Sequence, residues 1–210
     1  KRPTESHAIH CLIQWISLCY PMTFTTFYIK NMVCDRCRMS VEKALCDNGL
    51  RPVEVELGVA KVEGEVSDEA RSRLSDTLHS LGFELLADRR LQLVEQVKAA
   101  VIRLVRYLDT PSALNLSDYL QQALHMEYSS LSKLFSEATS MTIERYYIEQ
   151  RIECVKELLS YNELTLTEIA YRLHYSSVAY LSSQFKMVTG LTPTAYKKLQ
   201  RKDRKALDQI

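Results

Sequence analysis

Apolar and polar positions follow different periods in the two halves of the chain. From residue 23 to residue 88, short alternating runs such as PVEVEL predict strands. Two other segments of this half, with apolar residues three or four positions apart, predict helices. The predicted order is therefore βαββαβ, which is typical of a two-layer α/β sandwich of the ferredoxin-like kind.

The predicted elements of this first part have recognisable ends. Strands are expected in TFTTFYIKNM, PVEVEL, VAKVEGEV and FELLAD, with a turn at Gly58 between the middle two. The first helix is expected from about Cys37 to Asp47. Ser67 is the expected N-cap of the second helix, in SDEARSRLSDTLHSL, and Gly82 is expected to end it.

One long helix is predicted next, from Arg89 to Leu108. Its apolar residues recur at three- and four-residue steps and form one stripe: Val94, Val97, Val101, Leu104 and Leu108. This stripe can pack on either neighbouring part of the chain or on a second copy, and the pattern alone does not choose among them. Pro111, within TPSALN, marks the boundary that follows.

From Leu114 onward the chain is predicted to be all-helical, with an internal repeat. Six residues recur fifty positions later: Leu131, Ser132, Phe135, Thr139, Thr142 and Tyr146 return as Leu181, Ser182, Phe185, Thr189, Thr192 and Tyr196. The pairs Leu124-His125 and Leu173-His174 recur at forty-nine positions. We interpret each copy as a helix, a tight turn and a second helix, and a connecting helix is expected from about Ile143 to Tyr161.

Composition limits the function classes. The chain has 27 basic and 26 acidic residues, a net charge of +1, so no global charge attracts it to nucleic acid or anionic lipid. Its 46% hydrophobic and 25% charged residues are typical of a soluble globular protein. Because no Gly-rich phosphate loop, Ser-His-Asp order or paired-carboxylate constellation stands out, we do not expect an enzyme.

The two ends of the chain carry weaker signals. Residues 1–21 hold the apolar run AIHCLIQWISLCY, which is too short to span a bilayer and lacks a small-residue cleavage site. We interpret them as an unstructured or upstream extension. Six cysteines without regular disulfide spacing indicate a reducing, cytoplasmic location with no membrane association. Residues 201–210 form a basic tail, either a solvated helix end or a phosphate contact.

Residues Leu114 to Leu199 resemble the DNA-binding domain of the AraC/XylS family of bacterial transcription regulators. The segment LTEIAYRLHYSSVAYLSSQFKMVTGLTPTAYKK carries the family's second helix-turn-helix and closing signature, with these residues at motif positions: Ile169, Ala170, Leu181, Phe185, Gly190, Thr192, Pro193 and Tyr196. His125 and His174 stand where the family usually has Gly in each turn, and Gln121 replaces a small Ala. The resemblance implies a sequence-specific regulator of double-stranded DNA, with RNA polymerase as a partner if it activates, and a homodimer as a further expectation.

The same match implies which side chains face DNA. Leu131, Phe135, Leu181 and Phe185 fall on core positions, so the residues that enter the major groove lie between them. By residue-by-residue match these are Ser129, Ser132 and Lys133 in the first copy, Ala179, Tyr180 and Ser183 in the second, and Lys186 as a phosphate contact. The alternative for each is an ordinary solvated helix face. Short hydroxyls dominate, so DNA shape is expected to contribute to specificity.

Two thiols lie three positions apart in NMVCDRC, between the first strand and the first helix. This loop resembles the Met-x-Cys-x-x-Cys loop of the heavy-metal-associated domain of copper chaperones and metal-transporting ATPases. Met32, Cys34 and Cys37 take the matching positions, and Asn31 stands where Gly is usual. The segment LGFELL resembles that domain's closing Gly-aromatic step.

Thiol chemistry leaves several roles open for Cys34 and Cys37. Two soft thiolates can hold Cu(I), whereas Zn(II) would need further ligands from elsewhere or from a second chain. Disulfide exchange and an inert structural loop are the alternatives. Arg36 and the helix N-terminus favour the thiolate form, which serves metal binding and redox exchange alike.

These expectations define five segments: residues 1–21 as an extension, 22–88 as a heavy-metal-associated-like domain, 89–110 as a linker helix, 111–200 as an AraC-type DNA-binding domain and 201–210 as a basic tail. The leading hypothesis is a DNA-binding transcription regulator that responds to metal through Cys34 and Cys37. One alternative is a thiol-based metal chaperone or detoxification protein. The other is a DNA-binding regulator whose first domain is only a dimerisation or ligand scaffold.

Overall fold

The computed structural model describes residues 23–107 and 115–202 of the 210-residue chain. The chain divides into two compact units, Lys1–Leu86 and Ala87–Ile210. It is a mixed α+β protein, with a small antiparallel sheet in the first unit and helices alone in the described part of the second. The predicted extension, residues 1–21, and residues 203–210 of the predicted tail lie outside the described residues.

The described part of the first unit, residues 23–86, has four strands and two helices. Its elements in chain order are β1 (Phe24–Lys30), α1 (Asp35–Asp47), β2 (Pro52–Glu56), β3 (Val59–Glu63), α2 (Asp68–Ser80) and β4 (Glu84–Leu85). The strands form one sheet in the order β2, β3, β1, β4, and every neighbouring pair is antiparallel. The observed element order is the one predicted from the sequence, but the last strand is shorter than the FELLAD segment suggested.

Alternation in β1 places Phe27 and Ile29 in the core of this unit, at 1% and 0% exposure. Burial of large apolar side chains from both helices completes that core, including Leu45 of α1 and Leu74 of α2. Ser67 caps α2 as predicted, because its hydroxyl accepts a hydrogen bond from the Ala70 N–H.

The second unit consists of seven described helices: α3 (Arg89–Arg106), α4 (Leu116–Leu124), α5 (Tyr128–Thr139), α6 (Ile143–Tyr161), α7 (Leu166–Arg172), α8 (Val178–Thr189) and α9 (Pro193–Lys202). The predicted connecting helix is confirmed as α6, with the same two ends. In the part of the chain that the structure describes, no helix is both long enough and apolar enough to cross a bilayer.

The apolar stripe of α3 is buried within the helical unit. Val94, Val97 and Val101 form one core cluster with residues of the next three helices: Leu120, Leu131, Phe135 and Ile143. Arg90 pairs with Glu137 of α5, and Arg106 pairs with Glu157 of α6, each at 2.7 Å. This helix is therefore part of the support beneath α5. Leu108, predicted to continue the stripe, lies outside the described residues.

A second core cluster lies under α8. It joins the later part of α6 to both helices of the second repeat copy, through Ile152, Val155, Leu159, Ile169, Ala170, Leu173, Tyr175, Leu181 and Phe185. The first residue of α6, Ile143, belongs to the other cluster. Helix α6 thus contributes to both cores, and it joins the two repeat copies through packed side chains as well as through the chain.

Candidate nucleic-acid interface

Each repeat copy folds into two helices joined by a tight turn. Helices α4 and α5 form the first pair, and α7 and α8 form the second. His125 and His174 in the two turns have φ of 52° and 54°, the left-handed conformation that favours glycine. Histidine therefore takes the positive φ in both turns, at the position where glycine is usual.

The two pairs make equivalent contacts at equivalent positions. Phe135 packs on Tyr146 with ring centroids 5.7 Å apart, and Phe185 packs on Tyr196 at 5.4 Å. At the last residue of each second helix, Thr139 or Thr189, the threonine hydroxyl donates to the carbonyl of that phenylalanine, at 2.7 Å in the first copy and 2.8 Å in the second. The repeat seen in the sequence is therefore a repeat of packing, and it holds α5 and α8 in the same way.

The beginnings of α5 and α8 differ. Ser177 caps α8, because its hydroxyl accepts from the Tyr180 N–H at 3.1 Å. Glu127 makes no such side-chain bond at the N-cap of α5. Instead the side-chain oxygen of Gln121, on α4, accepts from the Tyr128 N–H at 3.1 Å. The residue that departs from the family pattern thus supplies the missing cap from the preceding helix.

Removing this cap should weaken the first pair. Replacing Gln121 by alanine leaves the Tyr128 N–H without its partner, so we expect the free energy of unfolding to fall by about 1 kcal/mol. Chemical denaturation followed by circular dichroism measures the change, with Gln122→Ala, an exposed neighbour, as the control. Equal stability of the two variants would mean that the Gln121 bond contributes nothing.

The tyrosine at the start of α5 is held by a carboxylate. The Tyr128 hydroxyl donates a hydrogen bond to Glu144 on α6, and burial together with this bond raises the pKa of Tyr128. The same bond lowers the pKa of Glu144, so the carboxylate stays charged at neutral pH. The beginning of α5 is consequently fixed on both α4 and α6.

The seven predicted DNA-contacting residues all lie on α5 and α8. Six of them are exposed, and one is half-buried: Ser129, Lys133, Ala179, Tyr180, Ser183 and Lys186 are exposed, and Ser132 is half-buried. The buried residues of the same helices include Leu131, Phe135, Leu181 and Phe185. The two helices therefore present a polar surface opposite their buried sides, and contact of these seven residues with DNA stays a prediction.

Tyr180 is anchored more firmly than a solvated side chain. It is 49% exposed, and its hydroxyl accepts a hydrogen bond from Gln184 at 2.8 Å. Its ring meets the edge of Tyr175 with centroids 6.0 Å apart. This fixed orientation reduces the rotamer entropy that a DNA contact would cost.

One residue behind the second turn was missed in the sequence. The Arg151 guanidinium lies 3.7 Å from the Tyr175 ring centroid and donates to the Leu173 carbonyl at 2.6 Å. It thereby ties α6 to the end of α7, directly before the turn that leads to α8. Because Arg151 lies outside the repeated segments, comparison of the two copies gave no signal for it.

Three basic side chains are described on α8 and α9. Lys186 and Lys198 are exposed, and Lys197 is half-buried. The other predicted tail cations have no described side chain, so their part in phosphate binding remains a prediction.

The thiol loop of the first unit leads directly into α1. Cys34 is the N-cap residue of α1, and its Sγ lies 3.5 Å from the Sγ of Cys37. The pKa of the Cys34 thiol is lowered, chiefly by the Cys37 N–H and further by the Cys37 thiol, the Arg36 N–H and the Arg36 charge, against a smaller opposing effect of burial. The two sulfur atoms are therefore close and both residues are half-buried, and the Cys34 thiol is disposed toward the thiolate form.

The loop is tied to the segment that leads into β4, the strand next to β1. Asn31 has a φ of 73°, and its side-chain amide donates to the Gly82 carbonyl at 3.0 Å. Met32 is 4% exposed and belongs to the core. Among the residues that the structure describes, no group of three or more His, Cys, Asp or Glu side chains could hold a metal ion. Within residues 23–86, Cys34 and Cys37 are therefore the two ligands that this loop offers to a metal.

The comparisons assign the helical unit to a class of domain. Residues 120–199 match a family model described as "Helix-turn-helix domain". The two helix-turn-helix pairs of the structure lie within or beside this matched range, so the C-terminal unit contains a helix-turn-helix domain. The matched relatives are named as transcription regulators, which supports the prediction that the protein is not an enzyme.

Individual relatives are distant. The chain is 25% identical over 118 residues to the uncharacterized HTH-type transcriptional regulator YdeC of Bacillus subtilis (strain 168). The alignment covers 56% of this chain and 40% of YdeC. It is 22% identical over 223 residues to the xylose operon regulatory protein of Escherichia coli (strain K12). That alignment covers 91% of this chain and 55% of the E. coli protein. The chain thus spans about half the length of these relatives.

The chain is also similar to a solved structure. The C-terminal domain of AraT, a response regulator from Geobacillus stearothermophilus, has a TM-score of 0.45 and 23% sequence identity. The alignment covers 53% of this chain and 88% of that domain.

Proposed function

We propose that this protein is a sequence-specific DNA-binding transcription regulator of the cytoplasm. The observation that carries the proposal is the pair of helix-turn-helix units. Their second helices, α5 and α8, make equivalent ring contacts, with Tyr146 of α6 and Tyr196 of α9, and α6 contributes residues to the core under each. Two such helices on one support can enter two successive segments of the major groove. Double-stranded DNA is then the principal partner.

Base reading in this proposal comes from the exposed side chains of α5 and α8. Lys133 has a long donor that suits guanine or phosphate, and Ser129 and Ser183 offer hydroxyls that suit several bases. Lys186 adds a phosphate contact, so affinity should fall with salt. RNA polymerase is a further partner if the protein activates transcription, and a homodimer would place two sets of these helices on one operator.

The test is selection of DNA from a random duplex pool by the full chain, followed by measurement of affinity at several salt concentrations. We expect an enriched motif and an affinity for it at least 1,000-fold above that for unrelated duplex, the low end for specific binding. Equal affinity for all duplexes would refute the regulator and favour the rival function, a thiol-based metal chaperone with a helical interaction module.

For the first unit we propose a ferredoxin-like fold of the heavy-metal-associated kind. The support is the βαββαβ order, the sheet order β2, β3, β1, β4, and a thiol loop between β1 and α1. The positive φ of Asn31, where glycine is usual, agrees with this assignment because that backbone position needs a left-handed conformation.

The thiol pair fits a soft metal ion. Two Zn–S bonds of about 2.3 Å at a tetrahedral angle would put the sulfur atoms about 3.8 Å apart. The observed separation of 3.5 Å is close to that value. Since zinc normally takes four ligands, two thiolates alone suit Cu(I) better. We therefore propose that Cys34 and Cys37 bind Cu(I), with Zn(II) only where a second chain adds ligands.

This metal proposal predicts a specific loss. Replacing both Cys34 and Cys37 by serine should abolish stoichiometric Cu(I) binding under reducing conditions, because serine hydroxyls are poor ligands for soft ions. Competition with a colorimetric Cu(I) chelator measures the binding. Cys46→Ser is the matched control, since Cys46 is exposed near the other end of the same helix and should leave Cu(I) binding unchanged.

Three further outcomes distinguish the roles of the loop. If Cu(I) changes operator affinity at fixed salt, and the double serine variant loses that change, the first unit is a metal sensor. If Cu(I) binds without any change in operator affinity, the first unit is a dimerisation or ligand scaffold. An intact chain that binds no Cu(I), but forms a Cys34–Cys37 disulfide reversibly, would replace the metal proposal by a redox one.

A further inference from the structure

The helical unit contains a cavity of about 350 Å³ that the DNA-binding surface does not use. It lies between the end of α3, the later part of α6 and both ends of α7. Its apolar lining comes from four residues: Val105, Leu158, Leu164 and Leu173. This volume falls at the low end of the range for small-molecule sites, and it has room for on the order of ten water-sized groups.

The charged residues of the lining divide into a paired and an unpaired set. Arg106 and Glu157 form an ion pair at 2.7 Å and neutralise each other. Arg172 and Glu163 also line the cavity, and neither makes a hydrogen bond or an ion pair with any residue the structure describes. The cavity therefore offers one cation and one anion that a ligand can still engage.

Cys154 completes the apolar lining. Burial raises the pKa of its thiol, whereas the nearby positive charges of Arg106 and Arg172 act in the opposite direction. The thiol is therefore uncharged at neutral pH and serves as an apolar wall. Arg172 is exposed and lines the same cavity as Cys154, so its guanidinium is accessible to a ligand there.

We propose that this cavity binds a small organic carboxylate with a short apolar body. The carboxylate pairs with the Arg172 guanidinium, which suits planar anions in a bidentate geometry, and the body lies against the leucines. Two sources share this chemistry. A simple monocarboxylate needs only Arg172, whereas an α-amino acid also presents an ammonium group that pairs with Glu163.

The site also regulates DNA binding, a part of the proposal that rests on the proposed function. Arg172 ends α7, and Leu173 immediately precedes the turn to α8, so an occupied cavity biases how the second pair is held. Such coupling is reciprocal: the factor by which the ligand changes DNA affinity equals the factor by which DNA changes ligand affinity.

The test uses the full chain without DNA and two matched probes, hexanoate and norleucine, which share one carbon chain. Isothermal titration calorimetry measures each affinity. We expect saturable binding of at least one probe and a loss of about tenfold or more in Arg172→Gln, because a charge-assisted pair is removed. Arg145→Gln, at the other end of α6, is the control and should leave the affinity unchanged.

Two further variants keep the result interpretable. Leu164→Trp fills the cavity and should abolish binding of both probes. An unchanged helical circular dichroism signal and retained DNA binding would show that this variant still folds. Glu163→Gln should weaken norleucine and leave hexanoate unchanged if the ligand is an amino acid. Absence of saturable binding by both probes, or binding that survives both Arg172→Gln and Leu164→Trp, would overturn the site.

The regulatory part has its own readout. DNA affinity with and without the bound probe should differ by a measurable factor, and Arg172→Gln should remove that difference. Ligand binding without any effect on DNA affinity would overturn the coupling and keep the site. A chain that binds the probe but no DNA would refute the proposed function and leave the calorimetric result standing.

Discussion

Replacing Phe185 by alanine is expected to lower the free energy of unfolding of the helical unit by about 3–5 kcal/mol. The ring is fully buried, belongs to the core cluster under α8 and packs edge-on against Tyr196. Truncation removes its burial and leaves a cavity that the surrounding helices cannot fill without moving. Chemical denaturation of the full chain, followed by circular dichroism, measures the change.

The internal repeat supplies a matched comparison for this variant. Phe135→Ala removes the equivalent ring from the other cluster and should cost a similar amount. Met187→Ala, on α8 and 60% exposed, is the control and should change stability by less than about 0.5 kcal/mol. A Phe185→Ala variant as stable as Met187→Ala would contradict the assignment of Phe185 to the core that supports α8.

The second large effect is on DNA affinity. Replacing Ser183 by aspartate is expected to weaken binding to the selected operator by about 10–100-fold, since a lost base contact is worth about 1–3 kcal/mol. Ser183 is exposed on α8, and a carboxylate there would face the phosphate groups at the edge of the major groove. Fluorescence anisotropy with labelled duplex at fixed salt measures the affinity.

Controls for this variant separate local from global charge effects. Ser72→Asp adds the same charge at an exposed position on α2, in the first unit, and should leave operator affinity nearly unchanged. Unfolding curves of both variants show whether the protein still folds. If Ser183→Asp binds operator as tightly as Ser72→Asp, the exposed face of α8 does not enter the groove, and the second recognition surface has to be reassigned.

Much of the helical unit was predictable because an internal repeat shows which positions are apolar in both copies and therefore belong to the core. A residue that returns at a fixed spacing and is apolar in both copies, as Leu131 and Leu181 are, must occupy the same place in two equivalent folds. The structure confirms this in the burial of both leucines and in the paired phenylalanine contacts. The ends of α6 were predictable for a related reason, since Thr142 and Asn162 flank a regular apolar period.

Other features had no local signal. Gln121 departs from the family pattern, and its role as the cap of α5 depends on the approach of two helices across a turn. The short β4 is paired only with β1, through two residue pairs, so the extended pattern of FELLAD overstated its length. The period of apolar residues predicts which side of an element is buried. It does not predict how many residues of a strand pair with a neighbouring strand.

The order of strands and helices, the repeat and the proximity of Cys34 to Cys37 could be predicted from the sequence alone. All of these depend on residues a few positions apart or on a fixed spacing. Only the tertiary structure decided that α3 packs under α5, that Arg151 holds the second turn, and that a cavity opens beside Arg172. These arise where side chains distant in the chain meet, and such contacts are set by the packing of whole helices.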